Sequence, residues 1–291
     1  MGGVRSTDER SNETVARAPD GRETVELTKH HGLGNDFLVA LEPDRNLTSA
    51  DAKQWCDRRT GIGADGLIQA RRVAGDADTR WTMMLWNADG GRAEISGNGI
   101  RCLGQAIGRS TSVEREQTIV ITTDAGERNL TLYPVPGDTW LVRAGMGAAS
   151  TGPGGSAMWS EVGVEVTAQE GVDIGNPHLV ALVGDDTVFT AADMARIGPI
   201  IEAEYPGGIN VHLIRIVDRN HIDLKVWERG VGVTQACGSG ACAAAWAAHR
   251  MGLVEPEITV TMPGGSATVE LTGSEVFLTG PATYVGSIVL G

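Results

Sequence analysis

Two rhythms of apolar residues run along the chain. Val25-Glu26-Leu27-Thr28-Lys29 alternates and predicts a first strand. It runs into His31-Gly32-Leu33-Gly34-Asn35-Asp36-Phe37, where a Gly-rich turn carries Asn35 and Asp36 towards a second strand. Thr48-Ser49-Ala50-Asp51 opens a helix that reaches about Arg58. Short alternating segments predict strands at Thr82–Trp86, Thr118–Thr123, Asn129–Tyr133 and Thr139–Ala144. Gly145–Gly155, rich in Gly and Ser, is the candidate boundary, and beyond it the rhythm restarts. A strand is expected at Val162–Thr167, and apolar runs flank Asn176-Pro177-His178. A helix follows at Val188–Ile197, which Ile200–Tyr205 would continue, and then an antiparallel pair, Ile209–Ile216 with Ile222–Trp227. Glu257–Thr261, Ala267–Leu271 and Val276–Thr279 complete the sheet, and Pro281–Leu290 is expected to cross back to the first half.

Two stretches stand out from this rhythm. Trp227–Gly240 is a polar, Gly-rich segment that ends at Cys237 and feeds a small-residue run, Ala241–Ala248, which predicts a buried helix. Asn87–Gly99 does the same with Ser96 and feeds the apolar segment Ile100–Ile107. Ser96-Gly97-Asn98-Gly99 superposes on Cys237-Gly238-Ser239-Gly240. Each stretch places a hydroxyl or thiol at a helix N-cap, ahead of unpaired backbone N–H groups that favour negative charge. A thiol there is expected to have a lowered pKa and to be reactive. Two copies of one helix-start device imply two similar halves that face each other. A substrate carboxylate would rest between the helix mouths, with one side chain on each face of its α-carbon.

Composition sets the bounds. The chain has 291 residues, enough for two domains. The division expected is residues 24–143 with 281–291 as one half and 144–280 as the other. Residues 1–23 are polar and aperiodic, and are expected to be a disordered extension. Forty glycines point to turns and strands rather than a helical bundle, and the net charge of −13 argues against nucleic acid or an anionic membrane as partner. Cys56, Cys102, Cys237 and Cys242 show neither CxxC spacing nor a metal pattern with the six histidines, so no metal is expected. Their usage fits thiols in a reducing compartment, and no apolar run is long enough to span a bilayer, so a cytoplasmic protein is expected.

The α-proton of an amino acid is very weakly acidic. Inverting that centre without a cofactor requires a base on one face and an acid on the other. A thiol suits both tasks, and helix N-termini can stabilise the carboxylate as it gains enediolate charge. No pyridoxal or dinucleotide fingerprint is present; Gly32-Leu33-Gly34 lacks the third glycine of the latter.

The chain resembles diaminopimelate epimerase from about Val25 to Ile288. The markers are Gly34-Asn35-Asp36-Phe37, Gly61-Ile62-Gly63-Ala64-Asp65, Asn87-Ala88-Asp89-Gly90, Gly97-Asn98-Gly99-Ile100-Arg101-Cys102 and Gly175-Asn176-Pro177-His178. Glu228-Arg229-Gly230 through Ala236-Cys237-Gly238-Ser239-Gly240, then Pro263-Gly264-Gly265 and Thr279-Gly280-Pro281-Ala282, follow in order. The resemblance implies an α/β (α+β) fold of two pseudo-symmetric domains, each a mixed, mostly antiparallel sheet curled around a central helix. Proline racemase-like enzymes share that fold. It also implies cofactor-independent interconversion of LL- and meso-diaminopimelate in lysine and peptidoglycan synthesis, in a cleft between the domains. By the same analogy the assembly is a homodimer.

Carried over by position, Cys237 and Ser96 are the catalytic pair. Asn35, Asn87, Asn176, Asn210, Glu228 and Arg229 hold the distal end of the small amino-acid substrate. Gly97, Asn98, Gly238 and Ser239 offer N–H groups to its reacting carboxylate, with His178 and Asp89 as orienting groups behind them. Two positions depart from the family. It has Cys where this chain has Ser96, and often Gln where this chain has Gly66. Cys102 matches another, non-catalytic cysteine and does not replace the missing thiol. A hydroxyl is a far weaker acid than a thiol, so Ser96 is a poor base without an activating neighbour. Three readings stay open: a substitution that traps the enzyme, a native residue that transfers one proton slowly, or drift towards another reaction. Racemisation or dehydration of another amino acid, and non-catalytic amino-acid binding, are the competing functions.

Overall fold

The computed structural model describes residues 24–75, 79–155, 157–184 and 190–291. The expected N-terminal extension lies outside the described residues.

One order of elements occurs twice. β1 (Val25–Gly32) and β2 (Asn35–Leu41) form an antiparallel hairpin. After α1 (Ser49–Cys56), β3 (Gly66–Arg72) joins β2 in parallel and β4 (Arg80–Asn87) pairs antiparallel with β3. The two-residue β5 (Arg92–Ala93) folds back on β4 and leads into α2 (Gly97–Ser110). β6 (Gln117–Thr123) lies parallel to β4, and β7 (Gly126–Tyr133) and β8 (Thr139–Gly147) continue as a meander. The short β9 (Ser150–Thr151) follows.

The second half repeats this. β10 (Val166–Asp173) and β11 (Pro177–Val183) make a hairpin, α3 (Ala191–Glu202) crosses, and β12 (Asn210–Asp218) joins β11 in parallel. β13 (His221–Glu228), β14 (Gly232–Val233) and α4 (Gly238–Arg250) come next. β15 (Glu257–Met262) runs parallel to β13, and β16 (Gly265–Leu271) and β17 (Val276–Leu290) complete the meander.

The final strand of each half runs on into the other. β9 pairs with β10, while β17 pairs with β8 through Val276–Thr283 and with β1 through Thr283–Leu290. Pro281–Leu290 thus crosses back as the pattern predicts, as one unbroken strand with Val276–Thr279. No helix among the described residues is long and apolar enough to cross a membrane.

Each half curls around its own helix. α2 packs on β1, β2, β3, β7, β8 and β17; α4 packs on β10 to β13 and β15 to β17. Small residues make this enclosure possible. A Cβ at Gly104 would stand 2.9 Å from Leu130 Cδ2, and one at Gly108 would stand 2.5 Å from the Trp140 ring. In α4 the same role falls to Ala241, Ala243, Ala244, Ala245, Ala247 and Ala248, all fully buried. Thr48 caps α1 and Thr190 caps α3, each in a capping box with the aspartate three residues on. The predicted helix start at Val188 falls outside the described residues.

One predicted strand is corrected. Trp159–Val162 is a 3₁₀ turn closed by Gly163 at φ 71°, and the strand begins at Val166. Val162 and Val164 instead bury their side chains with Met194, Ile197 and Ile201 of α3.

Candidate active site

The two helix mouths meet. A Cβ added at Gly97 would lie 3.0 Å from the Gly238 Cα, and one at Gly238 would lie 2.9 Å from the Gly97 Cα. Only glycine at both first helical positions allows this approach. Ser96 and Cys237, the N-caps, each stand one residue from this close approach. Ser96 Oγ accepts from the Gly99 N–H at 3.1 Å, and Cys237 Sγ accepts from the Gly240 N–H at 3.3 Å. Each helix begins beside this approach, and a helix N-terminus favours an anion.

Cys237 is not the acidic thiol expected from its helix position. It is buried, and burial pushes its pKa well above the ordinary thiol value; the Glu228 carboxylate beside it pushes the same way. Hydrogen bonds from Ser239 Oγ, 3.6 Å away, and from the Gly240 N–H oppose this and lose. A helix terminus contributes at most about 2 kcal/mol, less than the cost of a sulfur anion in an apolar site next to a like charge. The resting group is a neutral thiol that donates to Glu228. Burial raises the Glu228 pKa in turn, against hydrogen bonds from Thr234 and Cys237, with Asp65 adding a further upward push.

The floors beneath the two caps differ. Under the first turn of α4 lies His212, whose Cε1 would be 2.6 Å from a Cβ at Gly240. His212 Nε2 meets His178 Nδ1 at 2.7 Å, and His178 Nε2 meets Asn176 Oδ1 at 2.8 Å. Both rings are fully buried, and burial holds both in the neutral form, His212 at about 3. Under the first turn of α2 lies Phe37, with Cε1 3.3 Å from a Cβ at Gly99. The buried histidine pair lies on the Cys237 side, and an aromatic ring takes the corresponding place on the Ser96 side.

The other candidate residues divide clearly. Asn35 Nδ2 donates to Asp65 Oδ2 at 2.6 Å, and Asn35 Oδ1 accepts from Asn98 Nδ2 at 3.1 Å. Asn98 Nδ2 also donates to the Ala236 carbonyl at 3.0 Å, joining the two halves next to Cys237. The side chain of Asn98 is thereby committed, and its backbone N–H is what it can offer a ligand. Asn210 donates to the Pro177 carbonyl and accepts from the Arg229 N–H, so it positions Arg229 at the end of β13. Arg229 itself is exposed, and its guanidinium touches the Gly207 carbonyl at 3.3 Å. Asn87, also exposed, ends β4 in the place that Glu228 takes at the end of β13. Asp89 accepts from the Gly91 N–H at 2.7 Å and shapes the turn before α2.

Sequence reasoning missed the groups that hold these residues. Arg101 is fully buried and donates to the Gly97 carbonyl at 3.0 Å and to Asn98 Oδ1 at 2.7 Å. Arg58 bridges Asp36 at 2.6 Å and Asp65 at 2.8 Å. His212 sits in a strand as an ordinary alternating position. A cation in an otherwise apolar helix run, Gly99 to Gly104, was the available signal for Arg101.

Comparison with known proteins gives a consistent picture. The family model described as diaminopimelate epimerase matches residues 27–151 and 171–285. A diaminopimelate epimerase from Rhizorhabdus wittichii is 38% identical over 276 residues, covering 90% of this chain and 93% of the relative. One from Magnetococcus marinus is 35% identical over 279 residues, covering 88% and 94%. Among solved structures, a predicted epimerase from Pseudomonas aeruginosa superposes with a TM-score of 0.74 at 16% identity, covering 91% of this chain and 99% of its own. A hydroxyproline epimerase from Agrobacterium vitis, with trans-4-hydroxy-L-proline bound, gives 0.67 at 16%, covering 92% of each chain. At these identities the structures show the shared fold.

Proposed function

The chain belongs to the diaminopimelate epimerase family, and on that footing we propose that it interconverts LL- and meso-diaminopimelate by proton transfer at one α-carbon, without a cofactor. The close approach of Gly97 and Gly238 supports this reading, because it brings the two helix starts, with Ser96 and Cys237 as their N-caps, next to each other. The reacting carboxylate takes N–H bonds from Gly97, Asn98, Gly238 and Ser239. As the α-proton leaves, enediolate charge develops on that carboxylate, where these N–H groups stabilise it more than in the ground state. Asn35, Asn87, Asn176, Glu228 and Arg229 line the distal end, with Asn210, His178 and Asp89 holding them in place.

Cys237 and Glu228 share one proton. With the proton on sulfur, Cys237 is an acid; with the proton on Glu228, whose pKa burial has raised, Cys237 is a thiolate base. Among the described residues Ser96 has no such partner: its Oγ accepts from the Gly99 N–H. Proton transfer on the Cys237 face therefore outruns transfer on the Ser96 face. The test is deuterium incorporation at the α-carbon of diaminopimelate in D₂O with no cofactor added. Exchange in the wild type that is lost in Cys237→Ala is the expected result. Exchange that survives the substitution removes Cys237 from the base role.

The division into residues 24–143 with 281–291 and residues 144–280 is supported by the repeated element order and by the pairing of β17 with β1. Four unpaired thiols support a reducing, cytoplasmic setting. A homodimer is supported by β17. Among the described residues, its end from Gly286 to Leu290 is paired on one side only, with β1; Val285, at a bulge, is 56% exposed and Val289 66%.

A further inference from the structure

Arg101 is the least expected residue in the molecule. Its guanidinium has no exposure to solvent, and no carboxylate among the described residues pairs with it. Its Nε is buried without a partner. It is packed between two glycines: a Cβ at Gly32 would lie 3.2 Å from its Nη2, and one at Gly280 would lie 3.1 Å from its Nε. Burial lowers its pKa, yet a guanidinium stays charged near neutrality. An unpaired buried cation is costly, so its charge has to be met by other means.

Following the hydrogen bonds from Arg101 shows how. Arg101 Nη2 donates to Asn98 Oδ1 at 2.7 Å, Asn98 Nδ2 donates to Asn35 Oδ1 at 3.1 Å, and Asn35 Nδ2 donates to Asp65 Oδ2 at 2.6 Å. Every bond points the same way. Guanidinium has donors only, so Asn98 must turn its oxygen to Arg101; carboxylate has acceptors only, so Asn35 must turn its nitrogen to Asp65. The end charges thus fix both amides, whose orientation is otherwise ambiguous. The second hydrogen of Asn98 Nδ2 goes to the Ala236 carbonyl, one residue before Cys237. The second hydrogen of Asn35 Nδ2 is left for an acceptor in the cleft. Arg58, donating to Asp65 Oδ1 and gripping Asp36, holds the acidic end still.

We propose that Arg101 and Asp65 are positioning residues for the reaction, opposite charges at the ends of one hydrogen-bonded run, Arg101–Asn98–Asn35–Asp65, that fixes the two cleft asparagines so that an N–H of Asn35 faces an anionic group of the substrate. The inference rests on the function proposed above. Arg101 also places a positive charge one helical turn behind the N–H groups of α2, which favours an anion there. Neither charge touches the reacting atoms. Polarised runs of this kind act as a unit, so losing either end loosens the whole run.

The experiment is a double-mutant cycle on the full chain, with diaminopimelate as substrate. Arg101→Met and Asp65→Ala are each expected to raise KM about tenfold, with a smaller change in kcat, and the double variant to raise it by about the same tenfold. Arg101→Lys, which keeps a donor and the charge, is expected to stay within about threefold of wild type. A hundredfold rise in the double variant, or an unchanged KM in either single variant, overturns the proposal. Should Arg101→Met fail to fold, Asp65→Ala alone decides through the side-chain amide of Asn35, since Asp65 is half-buried. Nitrogen-15 spectra should show one dispersed pair of Asn35 Nδ2 protons in wild type, and an averaged or doubled pair in Asp65→Ala; one unchanged pair overturns the proposal. If wild type leaves diaminopimelate untouched, the functional reading fails, and these spectra still decide the amide run.

Discussion

A side chain at Gly97 would meet the Cα of Gly238 at 3.0 Å, and one at Gly238 would meet the Cα of Gly97 at 2.9 Å, across the boundary between the two repeats. Neither glycine has a positive φ, so backbone freedom is not what requires them; space is. Gly97→Ala or Gly238→Ala inserts a methyl where the nearest atom is about 3 Å off. The two helix mouths must then separate. A stability loss of about 1–3 kcal/mol is expected from the overpacking. A shift of about 1 Å between reacting groups costs about 100-fold in rate. Thermal unfolding and α-proton exchange, measured on the same samples, should therefore diverge: a modest change in Tm beside a large loss of exchange. Equal activity in either alanine variant would show that the reaction does not depend on this contact.

Burial and the neighbouring Glu228 carboxylate raise the Cys237 pKa, while the hydrogen bond from Cys237 opposes the rise that burial causes at Glu228, which gives a signed pH prediction. In the free enzyme the thiol sits well above its ordinary value, so the thiolate fraction grows with pH throughout the neutral range. The kcat/KM for exchange, which reports the free enzyme, should rise through pH 7 to 9 without levelling. Glu228→Gln removes the neighbouring negative charge and lowers the thiol pKa, so the curve should level at a lower pH. It also removes the proton acceptor, at a cost of about 10²–10⁴-fold in the maximum rate. A curve that is flat from pH 7 to 9 in wild type would remove Cys237–Glu228 as the titrating pair.

How much of this was legible in the sequence depends on the burial of each segment. The helix starts at Ser96 and Cys237 were legible because cap, glycine and apolar run lie within a few residues, and their pairing was legible because the device occurs twice. β3 was not singled out as a strand. Gly66-Leu67-Ile68-Gln69-Ala70 is buried at every position between β2 and β4, so it has no period-two alternation to detect. The strand predicted at Val162–Thr167 failed for a related reason: two valines, Val162 and Val164, are buried against α3 from a 3₁₀ turn and its exit, which mimics alternation. In the site, the resemblance assigned the asparagines to ligand, and what else their side chains hold was not legible. The structure shows Asn98 and Asn210 committed to protein groups far away in sequence, Ala236 and Pro177 among them. The elevated thiol pKa was also out of reach, since it depends on Glu228 being folded against Cys237 from the end of β13.

On the proposed function, Ser96 sets the balance between exchange and inversion. With one effective acid–base pair, wild type should exchange the α-proton of one stereoisomer with retention faster than it inverts it. Ser96→Cys places a second thiol on the opposite face of the α-carbon, over the apolar floor formed by Phe37. Inversion should rise on the order of 10²-fold while one-sided exchange changes little. Chiral chromatography of diaminopimelate after incubation in D₂O reads both rates together. Equal inversion in the two proteins would mean that residue 96 transfers no proton in either.

His30 is expected to make the fold acid-labile. It is buried in β1, with Nδ1 2.8 Å from Gln105 Oε1 and Nε2 3.0 Å from Thr28 Oγ1. Gln105 Nε2 donates to the Asp138 carbonyl at 2.7 Å, which fixes Oε1 as the atom facing the ring. His30 therefore donates from Nδ1 and is neutral, accepting the Thr28 hydroxyl at Nε2. Burial is the main cause that takes its pKa from 6.5 down to about 4; nearby Arg109 and His31 add to this, and the Gln105 bond opposes it. Between those values the unfolded chain binds the proton and the folded chain does not, so stability rises with pH across this window. The contribution is fully present above pH 6.5 and is lost as pH falls towards 4, a loss of roughly 3 kcal/mol. His212, held at about 3 by burial, acts in the same direction and extends the loss to lower pH. Thermal unfolding from pH 7 to pH 4 should show a falling Tm in wild type and a shallower fall in His30→Gln, which cannot take up the proton. Parallel curves for the two proteins would show that protonation of His30 plays no part in the acid transition.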